Sequence, residues 1–377
     1  MKILITGSDG YVGWPLIITL AKKYNHKKVK IVGIDNLLRR RLVGKVGAHS
    51  AVKISSFDER KKFLKKLNKN VSMQKLDASD YKKINNLVKK YKFDYIINLA
   101  AQPSAPYSFL GINETNFTQN NNNQILRNFI WSINNNNLSK KCKLVHTTTT
   151  GVYGFPKIKI PEGFLKKGRE KYPFGFMAGS WYHMSKCNDV NNLFLSNRVF
   201  KTQYHDFRTA IVIGLNYDAY DTSDKLNYNT RFDYDYYFGV VVNRFISMAL
   251  KKQDLTIYGK GLQKKPFISL NDCVKSLVNF INLKNAKKFE VYNQYTHMVS
   301  IKEISKLILK SKLVSKNVKF KNIKNPRIEN ETHKMRMENK NFTKILKSKA
   351  EPLRDTIFKT ISLLKVNKAK FKTKFGK

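Results

Sequence analysis

Cysteine is scarce in this chain: three in 377 residues, Cys142, Cys187 and Cys273, with no close spacing between any two. That excludes a disulfide framework and a cysteine-based metal cluster, so a reducing, cytoplasmic setting is the expectation and no metal site is assigned. Proline (9) and glycine (18) are too few for a collagen-like or low-complexity chain. Acidic residues are also few, 26 against 72 Lys and Arg. Long hydrophobic runs are missing. Stretches such as Phe238–Val242 and Ala210–Leu215 fall far short of the ~20 residues that span a bilayer. Met1–Gly7 lacks the apolar core of a secretory signal, and no membrane partner is expected.

What is present is a foldable composition, 42% hydrophobic and 12% aromatic. At roughly 100–200 residues per domain, this length makes one large domain or two closely joined ones. The formal net charge is +46, and only 13 of the 72 basic residues are Arg. Such a charge attracts anions: nucleotides, nucleic acid or anionic lipid. Here Lys and Asn are spread along the whole chain, with no basic helix interleaved with aromatics and no base-reading motif. The excess reads as solvated surface, and no specific nucleic-acid partner is expected.

Residues 1–150 alternate short apolar runs with amphipathic segments. Strands are expected at Lys2–Thr6, Val29–Ile34, Met73–Leu76, Tyr95–Leu99 and Lys143–Thr148. Helices are expected at Trp14–Tyr24, Asp58–Leu67, Tyr81–Tyr91 and Thr118–Ile133, with Ile84, Leu87, Val88 and Tyr91 on one helical face. Alternation of this kind needs crossovers, hence an α/β fold: a Rossmann-type, doubly wound parallel sheet covered by helices, with a smaller C-terminal substrate-binding domain. Beyond residue 150 come a loop (Gly151–Pro173), a helix at Ser180–Asn197, a strand at Thr209–Gly214 and a polar, aromatic insertion, Tyr217–Tyr237. Two or three short helices follow near the end. The Asn120–Asn123 and Asn134–Asn137 runs read as surface, and the Lys-rich residues from Val366 onward as a fraying end. The expected division is a first domain of residues 1–206 with return segments near 207–214, 238–252 and 270–294. Residues 215–237 and 253–377 form most of the second.

The sharpest motif is Gly7-Ser8-Asp9-Gly10-Tyr11-Val12-Gly13, directly after the first strand and opening a helix. Glycine there permits a tight turn and close approach of the backbone to a pyrophosphate, which then faces the free N–H groups of the helix. Asp35 ends the second strand 22 residues after Gly13, where an acid hydrogen-bonds the adenosine ribose. NAD is therefore the expected cofactor, although Arg39 and Arg40 lie close enough to bear on the choice between NAD and NADP. Asp77, ending the third strand, stands where an adenine contact is expected. Leu99, Ala100 and Ala101 are small or apolar where the fourth strand meets the dinucleotide. Asn36, Leu37, Ala78 and Asn122 complete the expected cofactor set.

Tyr182 and Lys186, in Tyr182-His183-Met184-Ser185-Lys186, stand one helical turn apart on one face. A free phenol, with a pKa of about 10, is too weak a base at neutral pH. A nearby ammonium lowers it. Thr149, in Thr147-Thr148-Thr149-Thr150-Gly151-Val152-Tyr153-Gly154, supplies a hydroxyl 33 residues earlier, after the fifth strand. A hydroxyl, a phenol and a Lys beside a nicotinamide make a proton relay for oxidising an alcohol.

Together the glycine loop, Asp35, the Thr/Val-Tyr-Gly strand and the Tyr–Lys pair resemble the extended short-chain dehydrogenase/reductases that act on nucleotide sugars. Further stretches are similar to the UDP-sulfoquinovose synthases of sulfolipid formation: Ser104-Ala105-Pro106-Tyr107-Ser108, Arg231-Phe232-Asp233-Tyr234-Asp235, Phe238-Gly239, Asn243-Arg244-Phe245, Tyr258-Gly259-Lys260-Gly261 and Asn325-Pro326-Arg327. The resemblance runs to about residue 350. It implies a tightly held NAD and a homodimer formed through helices of the first domain. The chemistry implied is oxidation of UDP-glucose at C4, loss of the C5 proton, departure of water from C6, addition of sulfite and re-reduction. It gives Tyr182 the role of C4-hydroxyl base and Lys186 that of its tuner and ribose anchor. Thr149 becomes the assisting hydroxyl, and His183 a helper in C5 proton transfer. Arg327 resembles a diphosphate clamp. Gln102, Ser104, Tyr107, Arg231 and Gln263 join the expected substrate contacts.

The sequence also departs from the synthase pattern. Pro103 stands where that family has Arg, Val152 where it has Glu, Arg208-Thr209 where it has Asn-Gln, and Lys265 where it has Arg. These changes leave the nicotinamide machinery intact but bear on sulfite as a substrate. The alternatives are a UDP-sugar 4-epimerase, which needs only Thr149, Tyr182 and Lys186, or a dehydratase working without sulfite. Against ordinary 4,6-dehydration, Thr150-Gly151 stand where that class carries Asp-Glu. A third alternative is a non-catalytic NAD-fold protein that binds nucleic acid.

Overall fold

The computed structural model describes residues 1–217, 223–283, 287–324 and 335–373. Seven strands build a wholly parallel sheet: β1 (Lys2–Thr6), β2 (Lys30–Asp35), β3 (Val71–Lys75), β4 (Tyr95–Asn98), β5 (Lys143–Thr149), β8 (Gln203–Thr209) and β12 (Phe289–Gln294). Their order is β12-β8-β5-β4-β1-β2-β3. The chain runs outward from β1 to β3, then returns to the other side of β1 for β4. The carboxyl ends of β1 and β4 therefore flank the point where strand order reverses, and ligands bind such sheets in the crevice there.

Alternation along β1 sets the two faces. Ile3 and Ile5 enter a core with Trp14, Leu16, Leu20, Val145 and Phe207, whereas Leu4 enters the opposite one with Ile96, Leu126, Phe129 and Leu193. The first core is covered by α1 (Gly13–Lys23), α3 (Phe57–Leu67) and α9 (Leu270–Ile281). The second is covered by α4 (Tyr81–Tyr91), α5 (Ile112–Asn135) and α6 (Trp181–Phe200). Helix α4 buries Ile84, Leu87 and Val88 on the predicted face. A short helix, α2 (Leu38–Lys45), follows β2.

A further apolar cluster lies beyond the large sheet. Strands β9 (Ile211–Ile213), β11 (Lys264–Ser269) and β13 (His297–Ser300) form a small sheet, and β10 (Leu255–Tyr258) pairs with β14 (Phe320–Ile323). Helices α8 (Val241–Leu250), α10 (Ile301–Leu309) and α12 (Leu353–Val366) pack there around Phe245, Ile246, Ile257, Ile304 and Ile361. There are also two short helices, α7 (Lys225–Tyr228) and α11 (Lys340–Leu346), α11 against α9.

Four expectations need correction. The sixth strand of the large sheet is β8, not Thr209–Gly214. The latter splits at Ala210, and Ile211–Ile213 leaves to pair with β11. The loop Gly151–Pro173 contains a hairpin of β6 (Phe164–Lys167) and β7 (Glu170–Pro173). Asn121, Asn122 and Asn123 are buried in α5 rather than lying on the surface, and the Asn122 amide accepts from Gln102 N–H and donates to the Ser185 hydroxyl. The Lys-rich end does not fray as far as residue 373. Lys370 N–H donates to Ala51 O at 2.8 Å and Thr373 N–H to the Tyr234 hydroxyl at 2.8 Å.

Candidate active site

The turn after β1 is shaped by its glycines. Gly10 N–H donates to Gly7 O at 2.9 Å, and Trp14 N–H to Gly10 O at 3.1 Å, so the turn passes directly into α1. A β-carbon on Gly13 would lie 2.0 Å from Gly7 O. One on Gly7 (φ +65°) would lie 3.1 Å from the backbone of Leu99 and Ala100. Only bare backbone fits here, and it leaves the N-terminus of α1 facing a cleft of about 890 Å³.

Gly7, Gly10, Tyr11, Val12, Gly13, Asp35, Asn36, Arg39, Asp77, Ala78, Leu99, Ala100 and Ala101 all line that cleft. The Asp35 carboxylate accepts from Asp9 N–H at 2.9 Å and Leu37 N–H at 2.7 Å. Burial, with the Asp9 charge nearby, pushes its pKa up to about 6 despite these bonds. Burial also acts on Asp77, but donors from Asn36 (2.8 Å) and Ser79 outweigh it and hold that carboxyl below its ordinary value. A bare turn, a helix N-terminus and a carboxylate ending β2 fit an NAD dinucleotide.

Four residues expected at the cofactor do not reach the cleft. Asp9 turns away and pairs with Arg40 (2.6 Å) and the fully buried Arg60 (2.7 Å), which occupies Arg40 as well. Leu37 lies outside the lining at a left-handed φ of 61°. Asn122 is buried between Gln102 and Ser185.

At the other end, Thr149, Tyr182, His183 and Lys186 line the same cleft, brought there by β5 and the first turns of α6. The Thr149 hydroxyl accepts from Gly151 N–H at 3.1 Å. A β-carbon on Gly151 would lie 2.3 Å from the His183 ring, so the imidazole rests on that glycine. Burial first, then the Lys265 charge, lowers His183 to about 4, which keeps the ring neutral at pH 7. Tyr182 departs from the sequence expectation: burial, reinforced by the Asp189 carboxylate, raises its phenol above the ordinary value. The Lys186 ammonium lies 3.1 Å from the same Asp189 carboxylate.

Of the expected substrate contacts, Ser104 and Gln263 line the cleft. Gln102 turns inward to Thr118 at 2.7 Å, and Tyr107 is buried against Phe238. Arg231 is 4% exposed and bonds Asp233 through Nε at 2.8 Å, while Asp233 also holds Arg39. Both arginines serve to fix the segment from residue 231 to 235. Arg327 lies outside the described residues. Arg244, Tyr258 and Lys265 line the cleft but were not assigned to it from sequence, although their motifs carried the signal. Of the departures from the synthase pattern, Pro103 lines the cleft, whereas Val152 is buried in an apolar cluster with Tyr153, Ile160 and Cys187.

Comparison with known proteins agrees with this geometry. Residues 4–353 match the family model described as GDP-mannose 4,6 dehydratase. The chain is 32% identical over 348 residues to the UDP-sulfoquinovose synthase of Sulfolobus acidocaldarius, covering 90% of this chain and 86% of that one. It is 30% identical over 339 residues to the chloroplastic UDP-sulfoquinovose synthase of Spinacia oleracea, covering 88% and 69%. In fold it is similar to the UDP-glucuronic acid 4-epimerase of Bacillus cereus in complex with UDP-glucuronic acid and NAD, with a TM-score of 0.69, 20% identity and coverage of 97% and 99%. Among the described residues no helix is long and apolar enough to cross a membrane. The chain belongs to the NAD-dependent epimerase/dehydratase group of extended short-chain dehydrogenase/reductases, the enzymes of the GDP-mannose 4,6 dehydratase family.

Proposed function

We propose that this enzyme converts UDP-glucose and sulfite to UDP-sulfoquinovose and water. The observation that carries the reading is the convergence of Thr149, Tyr182, His183 and Lys186 on the cleft that also holds the glycine turn and Asp35. Identity of 30% and 32% to two named synthases supports the substrate.

Backbone N–H groups at the start of α1 would meet the pyrophosphate of NAD, and Asp35 its adenosine ribose. When bound, NAD supplies a two-electron acceptor for the C4 carbinol and returns those electrons at the end. Tyr182 takes the C4-hydroxyl proton, and Thr149 hydrogen-bonds the same oxygen. Lys186 stabilises the phenolate that this transfer needs, because burial alone disfavours it. With C4 a carbonyl, the C5 proton becomes acidic. His183, uncharged at pH 7, offers a ring nitrogen lone pair to accept it, and its lowered pKa lets the imidazolium pass that proton on readily to the departing C6 hydroxyl. Loss of the C6 hydroxyl as water leaves a C5=C6 double bond, to which sulfite adds through sulfur at C6 while a proton returns to C5. Lys265 and Arg244 supply positive charge for the diphosphate.

The large sheet and its helices, α9 included, form the NAD-binding part in this reading, and the small sheet, the β10–β14 pair and helices α8, α10 and α12 form most of the substrate part. Exposed Trp131 on α5, with Leu195 and Val199 on α6, offers an apolar face for a homodimer. The cytoplasm is the proposed location.

A second reading, 4-epimerisation, is favoured by Pro103 at the cleft in place of the synthase Arg. Incubation with UDP-glucose, with and without sulfite, separates the two when the sulfonated product is followed by mass spectrometry and the C4 epimer, which has the mass of UDP-glucose, by NMR. Sulfite-dependent UDP-sulfoquinovose is the expected product. UDP-galactose formed without sulfite would overturn the synthase reading in favour of an epimerase.

A further inference from the structure

We propose that Asp189, oriented by His146, is the positioning residue for Lys186, and that a buried hydrogen-bond chain ties this pair to the turn after β1. The proposal deepens the functional reading above, since it gives a second layer to the same site.

The direction of every bond in the chain is fixed by its far end. Leu99 and Ala100 N–H groups, which can only donate, both meet Thr6 Oγ1 at 3.1 Å. The Thr6 hydroxyl must then donate onward, to Asn98 Oδ1 at 2.6 Å. That choice turns the Asn98 amide nitrogen toward His146 Nδ1, 3.0 Å away, which accepts. The neutral imidazole therefore carries its proton on Nε2 and donates it to Asp189 Oδ2 at 3.0 Å. The same oxygen accepts from Lys186 Nζ at 3.1 Å. Thr6, Asn98, His146, Asp189 and Lys186 are each 2% exposed or less. Thr6 and Lys186 stand at the ends of the chain and line the cleft, whereas the three residues between them do not.

A buried ammonium needs a partner, and Asp189 is the one hydrogen-bond partner of Lys186 among the described residues. Asp189 Oδ1 is buried without a hydrogen bond among them. The carboxylate is thus anchored through a single oxygen, and His146 sets which way that oxygen faces. Placed three residues after Lys186 on α6, Asp189 limits how far the ammonium can swing toward Tyr182 or toward a bound ribose. Because Thr6 receives the backbone that follows β4, a change in the turn that meets the dinucleotide is felt at the lysine.

Other charges near the pair are accounted for. Strand β8 presents Asp206 and Arg208, joined at 3.0 Å, and Asp206 also accepts from Thr148. On α6, Cys187 is buried, and His183 faces Lys265 of β11. The turn at residues 150–153 brings Tyr153, which packs on Arg208. Helix α5 offers Asn122 through Ser185, while its Glu114 pairs with Lys45 and its Arg127 is exposed. Tyr107, in the turn before α5, is buried, and Glu170, Lys171 and Tyr172 of β7 are exposed. His146 and Lys186 are the only hydrogen-bond donors to Asp189 among the described residues.

The test compares wild type with Asp189→Asn, which keeps the shape and removes the charge, and His146→Asn, which is too short to bridge Asn98 and Asp189. In Asp189→Asn, NAD affinity measured without sugar and kcat should each fall about tenfold, a typical coupling within one buried network. KM for UDP-glucose should stay within about twofold. The kcat limb that titrates with Tyr182 should move to lower pH, because a negative charge has left its surroundings. His146→Asn should weaken NAD in the same direction by less, and it decides the matter if Asp189→Asn does not fold. Unchanged NAD affinity and an unchanged pH limb in the folded variants would overturn the proposal, as would losses that follow only the folded fraction. NAD binding is read without sugar, so a wild type that binds NAD but does not turn over UDP-glucose would sink the functional reading and leave this test intact.

Discussion

A β-carbon on Gly13 would come within 2.0 Å of the Gly7 carbonyl oxygen, far inside van der Waals contact. The first and last glycines of the turn therefore touch through their backbones, and the N-terminus of α1 is held against the end of β1. Gly13→Ala should force this turn open. The expected cost is about 1–3 kcal/mol of stability, as for overpacking elsewhere. NAD affinity should fall at least tenfold in a titration followed by protein fluorescence. An alanine variant that binds NAD as wild type does would show that the turn is not the dinucleotide cradle.

Tyr182→Phe removes one oxygen from a half-buried ring that otherwise keeps its packing. Turnover of UDP-glucose should drop by about 10²–10⁴, the usual contribution of a positioned acid or base. Binding of the sugar nucleotide should change little. Single-turnover kinetics and a binding isotherm check both halves, and a variant with wild-type turnover would remove Tyr182 from the chemistry.

Asp35 predicts how NAD binding depends on pH. Its folded pKa, about 6, lies above the ordinary 3.8, so the native state holds this proton more tightly than the unfolded one. Stability from this group is fully present below pH 4 and lost as pH rises through 6. Ligand binding follows the opposite course, because the ribose hydroxyls need the ionised carboxylate as acceptor. NAD affinity should be constant above about pH 7 and decline between pH 7 and 5. Calorimetry at pH 5, 6 and 7.5 measures this, with Asp35→Asn expected to bind more weakly and lose the pH dependence.

What could be read from the sequence was what the chain encodes locally. The β1–turn–α1 unit and the Tyr182–Lys186 pair each fit within a few turns of chain, so local spacing, taken together with the Thr149 stretch, singles them out. Pairings across the sequence left no such trace: Asp9 with Arg60 is 51 residues apart, and His146 with Asp189 is 43. Strand β8 was missed because Gln203-Tyr204-His205-Asp206-Phe207-Arg208-Thr209 reads as polar, yet Asp206 and Arg208 neutralise each other inside. Polar side chains that bond to one another also hid Asn121 and Asn122 of α5, whose amides meet at 3.1 Å. Arg231 entered the expected substrate set through the resemblance, whereas in the structure its guanidinium is held by Asp233, two residues along.

That distinction gives a last pair of variants. Arg231 and Lys265 are both basic, the first in a stretch similar to the synthases and the second a departure from them, but only Lys265 lines the cleft. Arg231→Ala removes one of the two guanidiniums that neutralise buried Asp233 and leaves Arg39 to carry it alone. With one partner kept, the loss should cost about 1–3 kcal/mol, less than for a buried charge left wholly unpaired. A lower melting temperature is expected, with KM for UDP-glucose in the folded protein within about threefold of wild type. Lys265→Ala should do the reverse. It withdraws a charge from the diphosphate, worth about 1.5–3 kcal/mol for a charged hydrogen bond, and KM should rise roughly ten- to a hundredfold with little change in melting temperature. The same variant removes the positive charge that helps lower His183, so that imidazole should titrate closer to its ordinary value. If Arg231→Ala raises KM and Lys265→Ala does not, the diphosphate lies on the far side of the segment from residue 231 to 235, and the substrate has been placed in the wrong half of the cleft.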